Sequence, residues 1–194
     1  MTRTLTSMFV IAGVAAGLAL ATAPAGAFEL NAAVQAELDK QKSVAAQWAA
    51  DPVIVAAVKG QNVKGPIAGM DNAKWKGTRR SDPIVQELAA NPAAKFLKGK
   101  MEGSGGALDK AFLNGAQGEK VAFGEKTISY LHKGQEKFDA PMSTGKPWQM
   151  TKAWFDESLQ EYAIQIAVPV LDGGKPIGVL VASVPVSYLE KAKK

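Results

Sequence analysis

Between Phe28 and Ala50 apolar residues fall at Leu30, Val34, Leu38, Val44 and Trp48, with Ala33 and Ala45 beside them. That spacing predicts one long amphipathic helix. The pattern restarts at Asp51-Pro52, Asp82-Pro83 and Asn91-Pro92. In each pair an Asx side chain can cap the exposed N–H groups, while Pro fits the first helical position, where its missing N–H costs nothing. Three short helices are therefore expected, over 52–59, 83–90 and 92–100. The stretch between the first two reads as a loop with some helical turn around Met70 to Trp75. The likeness of "DPVIVAAV" to "DPIVQELA" is shared start chemistry and does not make a repeat.

After the Gly-rich hinge "MEGSGGALD" the period changes from helical to alternating. "KAFLNGAQGEKVAFG" reads as a hairpin, with Asn114-Gly115 and Gln117-Gly118 supplying positive φ at its turn. "TISYLHKGQEKFDAPM" predicts one short helix. "WQMTKAWFDES" alternates Trp148, Met150, Lys152 and Trp154 against Gln149, Thr151, Ala153 and Phe155, so it predicts a strand with two unlike faces. Tyr162 to Leu171 and Lys175 to Val186, rich in Val and Ile and joined through Asp172-Gly173-Gly174, predict a long closing hairpin. Five antiparallel strands preceded by helices make an α+β domain. Its helical part runs over 28–105 and its sheet part over 106–194.

The first residues change the setting rather than the fold. Arg3, an apolar run from Met8 to Ala23, and Ala25-Gly26-Ala27 before Phe28 form a secretory signal with a small-residue cleavage site, so residues 1–27 are expected to be removed and the remainder to work in the periplasm. The run is shorter and poorer in Leu and Ile than a spanning helix, although an uncleaved anchor stays open. The net charge of +5 falls to +4 without Arg3. Lysines interspersed with acids, with a run only at Lys191 to Lys194, read as a solvated surface, so no nucleic-acid partner is expected. The 194 residues contain no cysteine and one histidine. Thiolate metal sites and thiol catalysis are excluded, and no cofactor or metal is expected.

Four pieces in order carry a resemblance to a family. "AADPVIVAAVKGQN" is similar to a helix-end segment, "GAQGEKVA" to a first hairpin, "TISYLHKGQEKF" to a pocket-covering stretch, and "IQIAVPVLDGGKPIGVLVASV" to the closing hairpin of the extracellular PAS-like sensor domains called Cache or PDC domains. The resemblance spans roughly 30–188. It implies a PAS-like five-stranded antiparallel sheet with a long N-terminal helix and short helices, in a single Cache domain over 28–194. It also implies a small-molecule pocket on the sheet face. By position the ligand-contacting candidates are Tyr130, His132, Lys137, Trp148, Lys152, Trp154, Tyr162 and Gln165.

The residues themselves leave each candidate open. Tyr130 can be a core residue with its hydroxyl at the rim. His132 sits where a surface helix is expected, and a lone histidine makes no metal site. Lys152, between Met150 and Trp154 on one strand face, needs an anionic partner, either a protein acid or a bound carboxylate. The two tryptophans can simply pack. Gln165 points away from Ile164 and Ile166. Arg79-Arg80 reads as a solvated loop pair.

The amino-acid-binding constellation of the family is not found, so a small organic acid fits these candidates better. Catalysis finds no support: Gly-x-Ser-x-Gly, His-Glu-x-x-His and phosphate-loop motifs are missing, and Asp156 and Glu157, adjacent in a strand, point to opposite faces. With no output module after Lys194, the expected function is a free-standing periplasmic binding protein that hands its signal to a membrane receptor, kinase or transporter. The other reading is a structural or interaction protein whose pocket is filled by its own aromatic side chains. A homodimer through the long first helix also stays open.

Overall fold

The computed structural model describes residues 28–157 and 159–191; the expected export signal over 1–27 and the last three residues of the basic run lie outside them. Helix α1 (Ala32–Ala49) starts where Asn31 Oδ1 accepts the Val34 N–H at 3.0 Å. Helix α2 (Pro52–Lys64) is capped by Asp51 and runs past the expected end at 59. Its single Gly60 costs too little to stop a helix whose last turn is anchored: Asn62 donates from Nδ2 to the Ile177 carbonyl at 2.8 Å. A short α3 (Asn72–Gly77) follows in the loop. Helices α4 (Pro83–Ala90) and α5 (Pro92–Glu102) both begin at their prolines. Asn91 caps α5 as expected, whereas Asp82 makes no cap and instead accepts the Arg79 N–H.

The sheet comprises β1 (Lys110–Asn114), β2 (Lys120–Phe123), β3 (Trp148–Gln149), β4 (Trp154–Asp156), β5 (Glu161–Asp172) and β6 (Lys175–Pro185). Helix α6 (Glu136–Thr144) stands before β3, and α7 (Val186–Lys191) closes the described chain with a helical turn that the sequence pattern assigned no element. All pairings are antiparallel, in the order β2-β1-β6-β5-β3, with β4 also on β5.

The domain is thus α+β with five positions across its sheet, and six strands because the outer position is broken. The single strand expected over 148–157 fails for a matter of register. Trp148 pairs with Ala167 and Trp154 with Ala163, so the outer strand carries two residues more than β5 can match. The surplus leaves the ladder as a bend at Thr151 and Lys152.

Beneath the two glycines that close the β5–β6 turn with φ of 57° and 79°, two features follow the sequence reading. Pro169 lies beyond Ala167, where the β3 ladder has stopped and a missing N–H is tolerated at an edge. Gly178 allows the β1 backbone to approach, since a Cβ there would run into the Asn114 carbonyl and the Val58 side chain. In the first hairpin only Gly118 has a positive φ, at 84°; Gly115 does not, and it is needed instead because Glu119 and Asn62 close over it.

Both sheet faces are covered, which is why β5 and β6 read as near-continuous apolar runs. On one face Ile164, Ile166, Val168, Leu180, Ala182 and Leu113 pack under α1, α2 and α5. On the other, one aligned row crosses every position of the sheet, Phe123–Phe112–Val181–Ala167–Trp148. Trp75, Val85, Leu88, Tyr130 and Phe138 cover it. Among the described residues no helix is long and apolar enough to cross a membrane.

Candidate functional site

Two residues along from the aromatic row, the same face turns polar. Lys110, Ser183 and Gln165 stand side by side on β1, β6 and β5. All three are buried, and the Ser183 hydroxyl has no hydrogen-bond partner. The aromatic cover over the first row does not extend across this one. It leaves a cavity of about 320 Å³ between the polar floor and the segment 127–137 that roofs it.

The roof is not the surface helix expected for His132. Asn72, 58 and 59 residues away in sequence, accepts the N–H groups of Tyr130 and Leu131 on Oδ1 and donates to the Leu131 carbonyl. The stretch around Leu131 is therefore pinned out of helical form, bridged to Glu119, and the helix begins only at Glu136. His132 consequently lies buried on the floor side of the roof, 4.8 Å from the Phe112 ring. The Asn114 amide donates to its Nδ1 at 2.9 Å, which leaves the ring proton on Nε2. Burial, then the charges of Lys120 and Lys137, hold this histidine neutral by pushing its pKa far down. Tyr130 is wholly buried, stacked at 5.6 Å on Trp75, and its hydroxyl accepts the Ile67 N–H at 2.9 Å. It positions the roof rather than lining the cavity.

Lys137, in the first turn of α6, reaches down to the floor and donates to Gln165 Oε1 at 3.0 Å. Among the described residues it has no acid within ion-pair distance. Burial, followed by the nearby Lys110 charge, lowers its pKa from 10.5 to about 8. The Lys137–Gln165 bond also stands on a boundary. On its far side is a second, more open recess of about 290 Å³ that shares Lys137, Gln165 and Gln135 and is bordered by Trp148, Met150 and Lys152. Lys152 is exposed there on the bend, not held on a strand face between Met150 and Trp154. Trp154 lies at the mouth of the first cavity. Tyr162 lines neither space; it stands exposed, edge-on to Phe155 at 5.2 Å.

Two lysines that sequence reading passed over complete the electrostatics. Lys110 is bound to Asp156 at 2.7 Å. Asp156 is buried at the end of β4; Glu157, expected on the opposite face of the same strand, instead stands exposed in the turn that follows, and both border the first cavity. Lys120 is wholly buried with its Nζ 3.2 Å from the Phe112 ring centroid and without a hydrogen-bond partner. Cation–π attraction offers an ammonium there about 2 kcal/mol. Stripping water from an unpaired ion costs several times that. Burial wins, and the pKa of Lys120 falls well below its usual value. The legible signal for both was a lysine on the inward phase of an otherwise apolar strand, in "KAFLN" and "KVAF".

The fold and the cleft together define a class: an α+β domain with a partly open, lysine-bearing cavity on one sheet face and no described group of three or more His, Asp or Glu side chains able to hold a metal. No protein-family model matches the sequence, and no curated protein matches it. Solved structures that it resembles are sensory domains. The Escherichia coli DcuS sensor domain aligns with a TM-score of 0.47 at 14% identity, over 84% of this chain and 98% of that one. The ligand-binding domain of the Pseudomonas aeruginosa amino acid chemoreceptor PctC, in complex with GABA, aligns at 0.45 and 11%, over 81% and 57%. The sensor domain of the V. cholerae histidine kinase DctB aligns at 0.42 and 16%, over 81% and 59%. This chain therefore spans well under two thirds of the latter two. They are sensory domains, the kind to which the sequence resemblance pointed.

Proposed function

We propose that this protein is an exported, sensor-type binding protein for a small organic anion, and that its liganded form is read by a membrane partner. The observation that carries the reading is Lys137: a half-buried ammonium in the wall of a partly open cavity, hydrogen-bonded to the neutral amide of Gln165 and 5.7 Å from the Phe112 ring, with no acid within ion-pair distance among the described residues. A buried cation calls for a negative partner, and the protein supplies Asp156 to Lys110 instead. A carboxylate entering the cavity would complete the pair. The secretory signal supports a site of action outside the cytoplasm.

Thermal melting of the purified protein against carboxylates, amines and neutral analogues tests this. A ligand at about 100 times its dissociation constant adds about 2.7 kcal/mol, so carboxylates should raise Tm and Lys137→Met should abolish the rise. Stabilisation by amines, or an undiminished carboxylate response in Lys137→Met, refutes the proposal.

A further inference from the structure

The charges and the apolar surfaces of the cavity are separated in space, and their separation restricts the ligand beyond its being an anion. At the inner end, the ammonium of Lys110 is bound to Asp156. Lys120 is sealed against Phe112. That leaves Lys137 as the one cation of the cavity, among the described residues, without an acid partner. At the outer end the walls are apolar, and unusually exposed for large side chains: Ile128 at 70%, Trp154 at 39% and Phe155 at 39%. The exposed Glu157 borders this end as well, so a second negative charge would meet a carboxylate there.

We infer that the ligand is a monocarboxylate with an apolar body, such as an arylalkanoate or a medium-chain fatty acid, whose carboxylate meets Lys137 while its body covers Ile128, Trp154 and Phe155. This rests on the anion-binding reading above and sharpens it. The volume agrees: an apolar cavity of about 150 Å³ holds a benzene ring, and about 320 Å³ here leaves room for a ring, a short linker and a carboxylate. Covering the three exposed side chains supplies an apolar driving force that a short diacid cannot use.

Calorimetric titration of the purified protein with phenylacetate, hexanoate, acetate, succinate and phenylacetamide tests the inference. Phenylacetate or hexanoate should bind at least about tenfold more tightly than acetate or succinate, since one good apolar group is worth a factor of that order. Trp154→Ala combined with Phe155→Ala should weaken phenylacetate binding about tenfold and leave acetate unchanged. Succinate binding as tightly as phenylacetate overturns the inference and leaves the anion reading standing. An unchanged phenylacetate affinity in the double variant does the same. Phenylacetamide binding as well as phenylacetate, or no carboxylate binding at all, overturns both.

Discussion

The Lys110 ammonium lies 2.7 Å from Asp156 Oδ2, with both side chains almost wholly shut off from water. The pair joins β1, inside the sheet, to β4, a three-residue strand paired only with β5. It therefore fixes the cavity mouth to the cavity floor.

Breaking that pair should be costly from either side. Asp156→Asn takes the carboxylate away from a buried ammonium, and a loss of about 3–5 kcal/mol is expected in urea unfolding. Lys110→Met with Asp156→Leu should recover most of it, because two apolar side chains leave no stranded charge. A double variant as unstable as the single one would show that the pair is not what holds β4.

Lys137 gives the stability a pH dependence of definite sign. Its folded pKa, lowered to about 8, lies below the unfolded value near 10.5. Between those values the unfolded chain holds a proton that the folded one has lost, so stability rises with pH across that window. Below about 8 both states are protonated and the full cost of burying the charge is present. Lys137→Met should raise Tm at neutral pH and flatten the alkaline rise. Binding of a carboxylate to the wild-type protein should weaken as pH climbs through about 8.

Asp109 acts at the acid end. Burial raises its pKa from 3.8 to about 6, with Glu161 and Asp156 adding repulsion against a smaller attraction from Lys110, and its Oδ1 has no hydrogen-bond partner. From about 4 to 6 the folded state binds the extra proton, so stability falls as pH rises through that range and the cost persists at neutrality. Asp109→Asn should increase Tm at pH 7 and leave little change at pH 4. Equal shifts at both pH values would exclude this carboxyl as the cause.

Gly178 tests the packing behind the site. A methyl group there would strike the Asn114 carbonyl and Val58, forcing β1 and α2 away from β6. Overpacking of this kind costs about 1–3 kcal/mol. Because Asn114 also orients His132, Gly178→Ala should perturb the imidazole resonances as well as the melting temperature; a neutral substitution would mean that the strand pair yields freely.

Much of this arrangement could be read from the chain because its causes are local. Val-Ile runs around Asp172-Gly173-Gly174 specify a hairpin, and Asp51-Pro52 and Asn91-Pro92 start helices by their own chemistry. Gln165 could be placed opposite Ile164 and Ile166 from alternation alone. What escaped had distant causes. Residues 127–135 look helical until Asn72 takes their N–H groups, so the burial of His132 was invisible. The break at Thr151 and Lys152 is set by the count of residues on β5, not by any breaker in "WQMTKAWFDES". Lys110 and Lys120 stood on inward phases of their strands, but only the tertiary contacts of Asp156 and Phe112 distinguish their fates.

The bond from Lys137 to Gln165 is, spatially, a party wall between two alcoves. An anion that drew the ammonium away from the amide would take that wall down as it arrived, and the two alcoves would become one room.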